Sequence, residues 1–382
     1  MIMKILVAVD SFKGCLSSGQ LACAIEAGIR AAGGDHEIEK VSIADGGEGT
    51  CDTLLEGLGG TPVSLKVKGP LFQEVAAGYG ILERETAVME MSACSGLPLV
   101  PEHQRDPMNT TTYGLGEMIL DAVDRGCRNF IIGIGGSATN DGGLGMLEAL
   151  GCRFTDPEGE CLSPVGAALP RISQVDSSGL AQSLSQCKFL VACDVDNPFY
   201  GERGAACVFG PQKGADADCV QYLDQGLRHW AGVIENHCGI NVGPMAGTGA
   251  AGGLGGAFSA FLNADLKPGA EIIFDSLNLE DKVREADLII TGEGRLDYQS
   301  VMGKAPSAMA RMAARLNKPV IALAGQVADD AQALHDHGMT AMFSITDGPL
   351  SLDQAMEPSR AAHLVTKKTG QIMRLANAFL TS

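Results

Sequence analysis

The sequence has little of what a nucleic-acid-binding, zinc-binding or membrane-spanning protein needs. Lys and Arg number 28 against 46 Asp and Glu, a formal net charge of −18 over 382 residues. The cations form no cluster, so no basic face exists to neutralise a phosphate backbone, and nucleic acid is not expected as a partner. The twelve cysteines include no C-x-x-C pair and no Cys/His spacing suited to zinc, and the seven histidines are scattered. Nothing like a secretory leader precedes the first apolar strand. A cytoplasmic protein with reduced, mostly buried cysteines is therefore expected. No membrane partner is expected either: the charge-free run Ile240 to Ala264 is broken by seven glycines and Pro244. A G-x-S-x-G elbow is absent. Gly303-Lys304 is followed by Ala305, not by the Ser or Thr of a Walker A loop.

Glycine is plentiful. The 50 glycines are near twice the usual share of roughly 7%. They gather in short clusters beside apolar runs, which reads as tight backbone turns. The length suggests two domains at about 150 residues each. Ile5 to Val9 and Val41 to Ile43 are apolar runs of buried parallel-strand type, each followed by a helical pattern. Val63 to Val67, Val75 to Leu82 and Ala87 to Met91 alternate instead, as antiparallel or mixed strands do. The last hundred residues return to the first texture: strands at Asp287 to Ile290, Val320 to Leu323 and Ala341 to Ile345, with helices at Pro306 to Leu316, Ala331 to His335 and Arg360 to Phe379. The expected fold is α/β. Residues 1–65 and 285–382 form a Rossmann-like, doubly wound parallel-sheet domain, and 66–284 an inserted α/β domain of mixed sheet. The active site is expected in the cleft between them.

Five Gly-flanked polar loops lie at strand or helix ends, where ligands bind in open α/β sheets. Asp10-Ser11-Phe12-Lys13-Gly14 offers an acid and a cation. Asp45-Gly46-Gly47-Glu48-Gly49 offers two acids suited to a divalent cation or a hydroxyl. Gly133 to Gly143 contains Gly135, Gly136, Ser137, Thr139, Asn140 and Asp141, a set suited to a phosphate at a helix N-terminus. Asp194, Asp196 and Asn197 follow a buried strand, and Lys213 sits between Gln212 and Gly214. Thr291 to Asp297 reads as a loop carrying Glu293, Arg295 and Asp297. Gly247 to Gly256, with Gly249 and Gly252, is either an anion loop or close helix packing. Ser92 to Gly96, with Ser95, is a substrate-contact candidate. Each loop also has a plainer reading as a capped turn, and for Lys213 that reading is a surface turn. Together they suit phosphoryl transfer, which mainly needs positioning and charge neutralisation.

In combination these motifs resemble the bacterial type I glycerate kinases. The resemblance rests on Asp10 to Gly14, Ala44 to Thr50, Ile132 to Gly143, Gly210 to Gly214 and Thr291 to Arg295, and runs from Lys4 to about Ala376. One departure is Phe12, where relatives often carry Tyr. The resemblance implies ATP-dependent phosphorylation of D-glycerate to 2-phosphoglycerate, with Mg²⁺. 3-Phosphoglycerate and a homo-oligomer remain open. On that basis Lys13 and Arg295 hold the carboxylate or the phosphoryl group. Asp194 is the expected base with Asp45 as alternative, and Asp141 and Glu293 place Mg²⁺. Asp10, Ser11, Gly46, Gly47, Glu48, Ser95, Gly135, Gly136, Ser137, Thr139, Asn140, Asn197, Lys213, Gly249 and Gly252 are the expected contacts to substrate and phosphate. The rival reading is a nicotinamide-dependent oxidoreductase of a small hydroxy acid, prompted by Gly133-x-Gly135-x-x-Ala138.

Overall fold

The computed structural model describes residues 2–47, 49–301 and 304–380. The chain divides into two compact units, 1–45 with 270–382, and 46–269. Thirteen strands are found among the described residues. They are β1 Lys4–Val9, β2 Glu37–Ser42, β3 Thr61–Lys68, β4 Glu74–Leu82, β5 Thr86–Glu90, β6 Asn129–Gly133 and β7 Arg153–Thr155, then β8 Gln174–Asp176, β9 Lys188–Ala192, β10 Asp265–Lys267, β11 Leu288–Leu296, β12 Val320–Val327 and β13 Ala341–Ser344.

The first unit is built on a five-stranded, all-parallel sheet in the order β13-β12-β11-β1-β2. Counted within the unit this is 2-1-3-4-5, a doubly wound order that reverses direction between β1 and β11. Ile5, Val7 and Val9 bury their side chains against Leu21, Ile25 and Ile29 of the helix Ser18–Ala31, and Val365 and Met373 of the helix Pro358–Leu380 join the same core. Ser17 starts the first of these helices with a capping box. Its hydroxyl accepts the Gln20 N–H at 3.2 Å while Gln20 Oε1 accepts the Ser17 N–H at 3.0 Å.

Two local expectations change. Thr291 to Leu296 is strand, not loop: Thr291 through Leu296 continue the parallel register against Ala322 through Val327. The glycines that suggested a turn serve close strand approach, since a Cβ on Gly292 would stand 2.4 Å from the Leu323 carbonyl oxygen. Ala331 to His335 lies in a 3₁₀ segment, Asp329–His337.

The second unit carries a mixed sheet in the order β10-β9-β6-β5-β4-β3, parallel from β10 to β5 and antiparallel from β5 to β3. Phe130 and Phe189 stack with centroids 4.8 Å apart within its core, and Trp230 is fully buried there. Residues 46–65, expected with the chain ends, belong to this unit. β3 pairs along its length with β4, and Leu55 of the helix Thr50–Leu58 packs against Gly80. Residues 270–284 fall in the first unit. All twelve cysteines are unbonded. Four are buried, six half-buried and two, Cys23 and Cys161, exposed, so burial is less complete than expected. Among the described residues no helix is long and apolar enough to cross a membrane.

Candidate active site

The carboxyl ends of β1 and β11, where the first sheet reverses direction, are where an open α/β sheet places its ligand. The chain leaves β1 at Asp10, whose N–H donates to the Gly292 carbonyl at 3.0 Å. It then folds back on itself: Phe12 N–H donates to Leu16 O at 2.9 Å and Cys15 N–H to Phe12 O at 2.8 Å. This tight turn holds Lys13 outward, its side chain half exposed and its Nζ 3.8 Å from Asp45 Oδ2. On β11, Glu293 and Arg295 are two residues apart and share a face of the strand. Asp10, Ser11, Lys13, Asp45, Glu293 and Arg295 line one cavity of about 890 Å³. Six expected site residues thus meet in one place.

Charge is concentrated there. Burial, then the nearby Asp45 carboxylate, pushes the Asp10 carboxyl up to about 6, and Lys13 opposes the shift. The Ser11 N–H donates to Asp10 Oδ1 at 2.6 Å. Burial pushes Glu293 up to about 7; the Ser300 hydroxyl, which donates to Glu293 Oε1, and Lys304 pull it down, while Asp10 and Asp45 push it up. Arg295 Nε pairs with Asp297 Oδ2 at 3.1 Å.

Ser300 was not singled out from the sequence, and Lys304 was set aside there for lack of a Walker A pattern. Lys304 lines the cavity from the N-cap position of the helix Ala305–Arg315. The only signal in the sequence was a lysine one residue before an Ala-Pro helix start. Ser300 lies seven residues beyond Glu293, with nothing local to connect the two.

The second unit gathers another group. Gly46, Gly133, Gly269 and Asp194 converge, so closely that Gly46 and Gly133 leave no room for a side chain. A Cβ on Gly133 would stand 2.6 Å from the Gly46 carbonyl oxygen, and one on Gly46 would stand 2.6 Å from Gly269 Cα. Gly47 lies against Gly135, and Gly136 lies against Ser92. Asp194 is exposed at the end of β9, and its Oδ1 accepts the Gly269 N–H at 2.8 Å. Glu48 lies outside the described residues.

Below this group, Lys213 is buried, which rules out the surface-turn reading. Its Nζ donates to Ser137 Oγ at 2.8 Å and to the Thr139 carbonyl at 2.7 Å. Burial lowers its ammonium to about 7, with Asp141 opposing. Thr139 Oγ1 and both amide atoms of Asn140 are buried without a hydrogen-bond partner among the described residues. Ser95, fully buried, holds the loop through its carbonyl, which accepts the Ala138 N–H at 2.9 Å.

Four expected ligand contacts are occupied by the protein itself. Asp141 is fully buried. Its oxygens accept from the Thr112 N–H (2.8 Å) and hydroxyl (2.7 Å) and from the Gly143 and Gly145 N–H groups (each 3.1 Å). A carboxylate has about four acceptor sites, so the metal role expected of Asp141 does not fit its surroundings. Asn197 Nδ2 donates to the Arg203 carbonyl at 2.7 Å, and its own carbonyl accepts the Gly249 N–H at 3.0 Å. Gly252, at φ +70°, packs against Thr139, and its carbonyl accepts the Gly142 N–H at 2.9 Å. Gly249 and Gly252 therefore serve close packing.

Among the described residues no set of three or more His, Cys, Asp or Glu forms a metal cage. Mg²⁺ rarely needs one, since one or two carboxylates and the substrate's phosphates suffice. Asp10 and Glu293 fit that role. They are two buried carboxyls, one just past β1 and one on neighbouring β11, both pushed up mainly by burial, and a divalent cation beside them would relieve both.

Comparison with known proteins identifies the family. Residues 5–377 match the model of the glycerate kinase family. A glycerate kinase of Bacillus subtilis (strain 168) is 47% identical over 356 residues, 93% of each chain. A glycerate 2-kinase of Escherichia coli (strain K12) is 46% identical, covering 92% of this chain and 93% of its own. A crystal structure from Salmonella typhimurium LT2, described as a glycerate kinase 2, superposes with a TM-score of 0.90 at 43% identity, over 100% of both chains. The nicotinamide reading has no counterpart in these matches, and the chain is an enzyme that belongs to the glycerate kinase family.

Proposed function

We propose that the chain phosphorylates D-glycerate with ATP and releases 2-phosphoglycerate and ADP. The observation that supports this most directly is the cavity at the reversal point of the first sheet, where Lys13, Arg295 and Lys304 stand with Asp10, Asp45 and Glu293. Phosphoryl transfer asks for little more than a fixed geometry and neutralised charge. The relatives named above as glycerate kinases supply the acceptor.

Lys13, Arg295 and Lys304 hold the phosphoryl oxygens of the donor. Asp10 and Glu293 hold Mg²⁺, which when bound shares the charge of the phosphates. The C2 hydroxyl oxygen of glycerate attacks the terminal phosphorus; the new O–P bond forms as the bond to the ADP oxygen breaks. The hydroxyl proton passes to a carboxylate, assigned to Asp45, with Asp194 as the alternative. Ser11, Gly46, Gly47, Gly135 and Gly136 offer hydroxyl and backbone donors to the anionic groups. Ser137 is held for the same purpose by Lys213 beneath it.

The test is ADP release from Mg·ATP in the presence of D-glycerate, L-glycerate, glycolate, lactate or no acceptor, with the product identified by phosphorus NMR. Turnover with D-glycerate alone and a C2 phosphate ester is the expected result. A C3 ester overturns the regiochemistry, and acceptor-independent or absent ADP release from folded protein overturns the function.

A further inference from the structure

The cavity of the first unit is lined by two unlike sets of residues. One set is the acids and cations. The other is apolar: Phe12 and Cys15 from the turn after β1, and Leu350, Leu352, Ala355 and Met356 from the segment after β13. Leu352 and Met356 stand 73% and 37% exposed, among the few large hydrophobic side chains left in water. Exposed apolar groups gathered at the mouth of a cavity mark a surface that a ligand covers. The two ends of the kinase reaction differ here. Glycerate bears an oxygen on every carbon and has no apolar face to offer the apolar set. A nucleoside triphosphate is flat and weakly polar at one end and polyanionic at the other. The volume of about 890 Å³ suits a ligand of nucleotide size and is far larger than a three-carbon acid requires.

We infer that this cavity is the nucleotide subsite, with the base against Phe12, Cys15, Leu350, Leu352 and Met356 and the phosphates on Lys13, Arg295 and Lys304. The inference rests on the kinase reading and adds to it which unit holds the phosphoryl donor. The turn Asp10 to Leu16 contributes to both sets: Phe12 and Cys15 cluster with Leu350, and Lys13 between them lies 3.8 Å from Asp45. Short sequence spacing thus links base recognition to phosphate recognition.

Cys15 is a built-in reporter. It is half-buried in the cavity lining, and burial followed by the Glu357 charge pushes its thiol up, so alkylation is measured at mildly alkaline pH. Iodoacetamide labelling of the wild-type protein is followed at each cysteine by peptide mass spectrometry, with exposed Cys23 and Cys161 as internal standards. Saturating Mg·ADP is expected to slow labelling of Cys15 about tenfold and leave both standards unchanged, whereas tripolyphosphate and D-glycerate protect it less than about twofold. Leu352→Asp and Met356→Asp, at sites exposed enough to tolerate the charge, are expected to raise the KM for ATP about tenfold with the KM for D-glycerate within about twofold. Protection by D-glycerate but not by Mg·ADP overturns the assignment, as does an unchanged KM for ATP in both variants. The labelling needs no turnover. An enzyme that phosphorylates D-glycerate yet fails these tests loses the subsite and keeps its function, and one that binds Mg·ADP at Cys15 without turnover does the reverse.

Discussion

Each unit of the molecule buries acids beside a cation, and the two do opposite things with them. In the first unit Asp10 and Glu293 border a cavity, their carboxyls are pushed up to about 6 and about 7, and only part of their hydrogen-bonding capacity is used internally. In the second unit Asp141 and Lys213 are sealed. Asp141 takes four donors from Thr112, Gly143 and Gly145, and Lys213 is committed to Ser137 and Thr139. A strained group at a cavity can gain from a ligand, whereas a saturated group in a core can only lose by rearranging. On the function proposed above, the first arrangement serves binding and chemistry, while the second holds the shape of a loop.

The largest effects should separate the two. Lys13→Met or Arg295→Met removes a cation from the cavity and is expected to lower kcat/KM by about 10³-fold. Both side chains are more than half exposed, so the unfolding temperature should stay near wild type. Steady-state kinetics beside a thermal melt reads both quantities. Asp141→Ala should behave the other way: four buried donors lose their acceptor, at a cost of about 3–5 kcal/mol in stability. A well-folded Asp141→Ala protein with wild-type melting but a sharply raised Mg²⁺ requirement would erase the distinction between the units.

Much of this was legible in the sequence, and the failures have physical causes. The buried strands β1, β6, β9 and β12 announce themselves as short apolar runs, and the helix caps as Ser and Gly. The helix Thr50–Leu58 shows an apolar stripe, but a stripe does not say which sheet it will cover; Gly80 across from Leu55 decides that. Thr291 to Leu296 looks like a loop because Gly and charge alternate, yet those glycines admit the neighbouring strand and the charged residues project into the cavity. Lys213 sits in a Pro/Gly-flanked turn that reads as surface, and its burial depends on Ser137 and Thr139, more than seventy residues away in the chain. The donors that saturate Asp141 include Thr112, equally invisible in the local motif. Local pattern reveals which residues are polar and pre-turned, but not whether a distant segment will consume them.

The pH dependence of stability sharpens the same contrast. Glu293 is raised from 4.5 to about 7 on folding, so between those values the native state holds the extra proton. Wild type should lose stability relative to Glu293→Gln as pH rises from 4.5 to 7, and the difference should stay constant above that. Lys213 is lowered from 10.5 to about 7, so in that window the unfolded chain holds the extra proton. Wild type should gain stability relative to Lys213→Met as pH rises from 7 to 10.5. Melting temperatures of the three proteins across pH test both slopes. Parallel curves for wild type and Lys213→Met would mean that the buried lysine stays protonated.

The smallest effect probes the border between the two classes. Asn197 was expected at the substrate, but its side-chain amide donates to the Arg203 carbonyl at 2.7 Å and ties down the turn that follows β9. Asn197→Ala should therefore cost about 1 kcal/mol of stability, the value of one hydrogen bond. The KM for D-glycerate should stay within about twofold, because the amide that would contact a ligand is already committed. A rise of tenfold or more in that KM with unchanged melting would show that the Arg203 contact is exchanged for substrate. Asn197 would then rank with Asp10 and Glu293 as a group the fold keeps available.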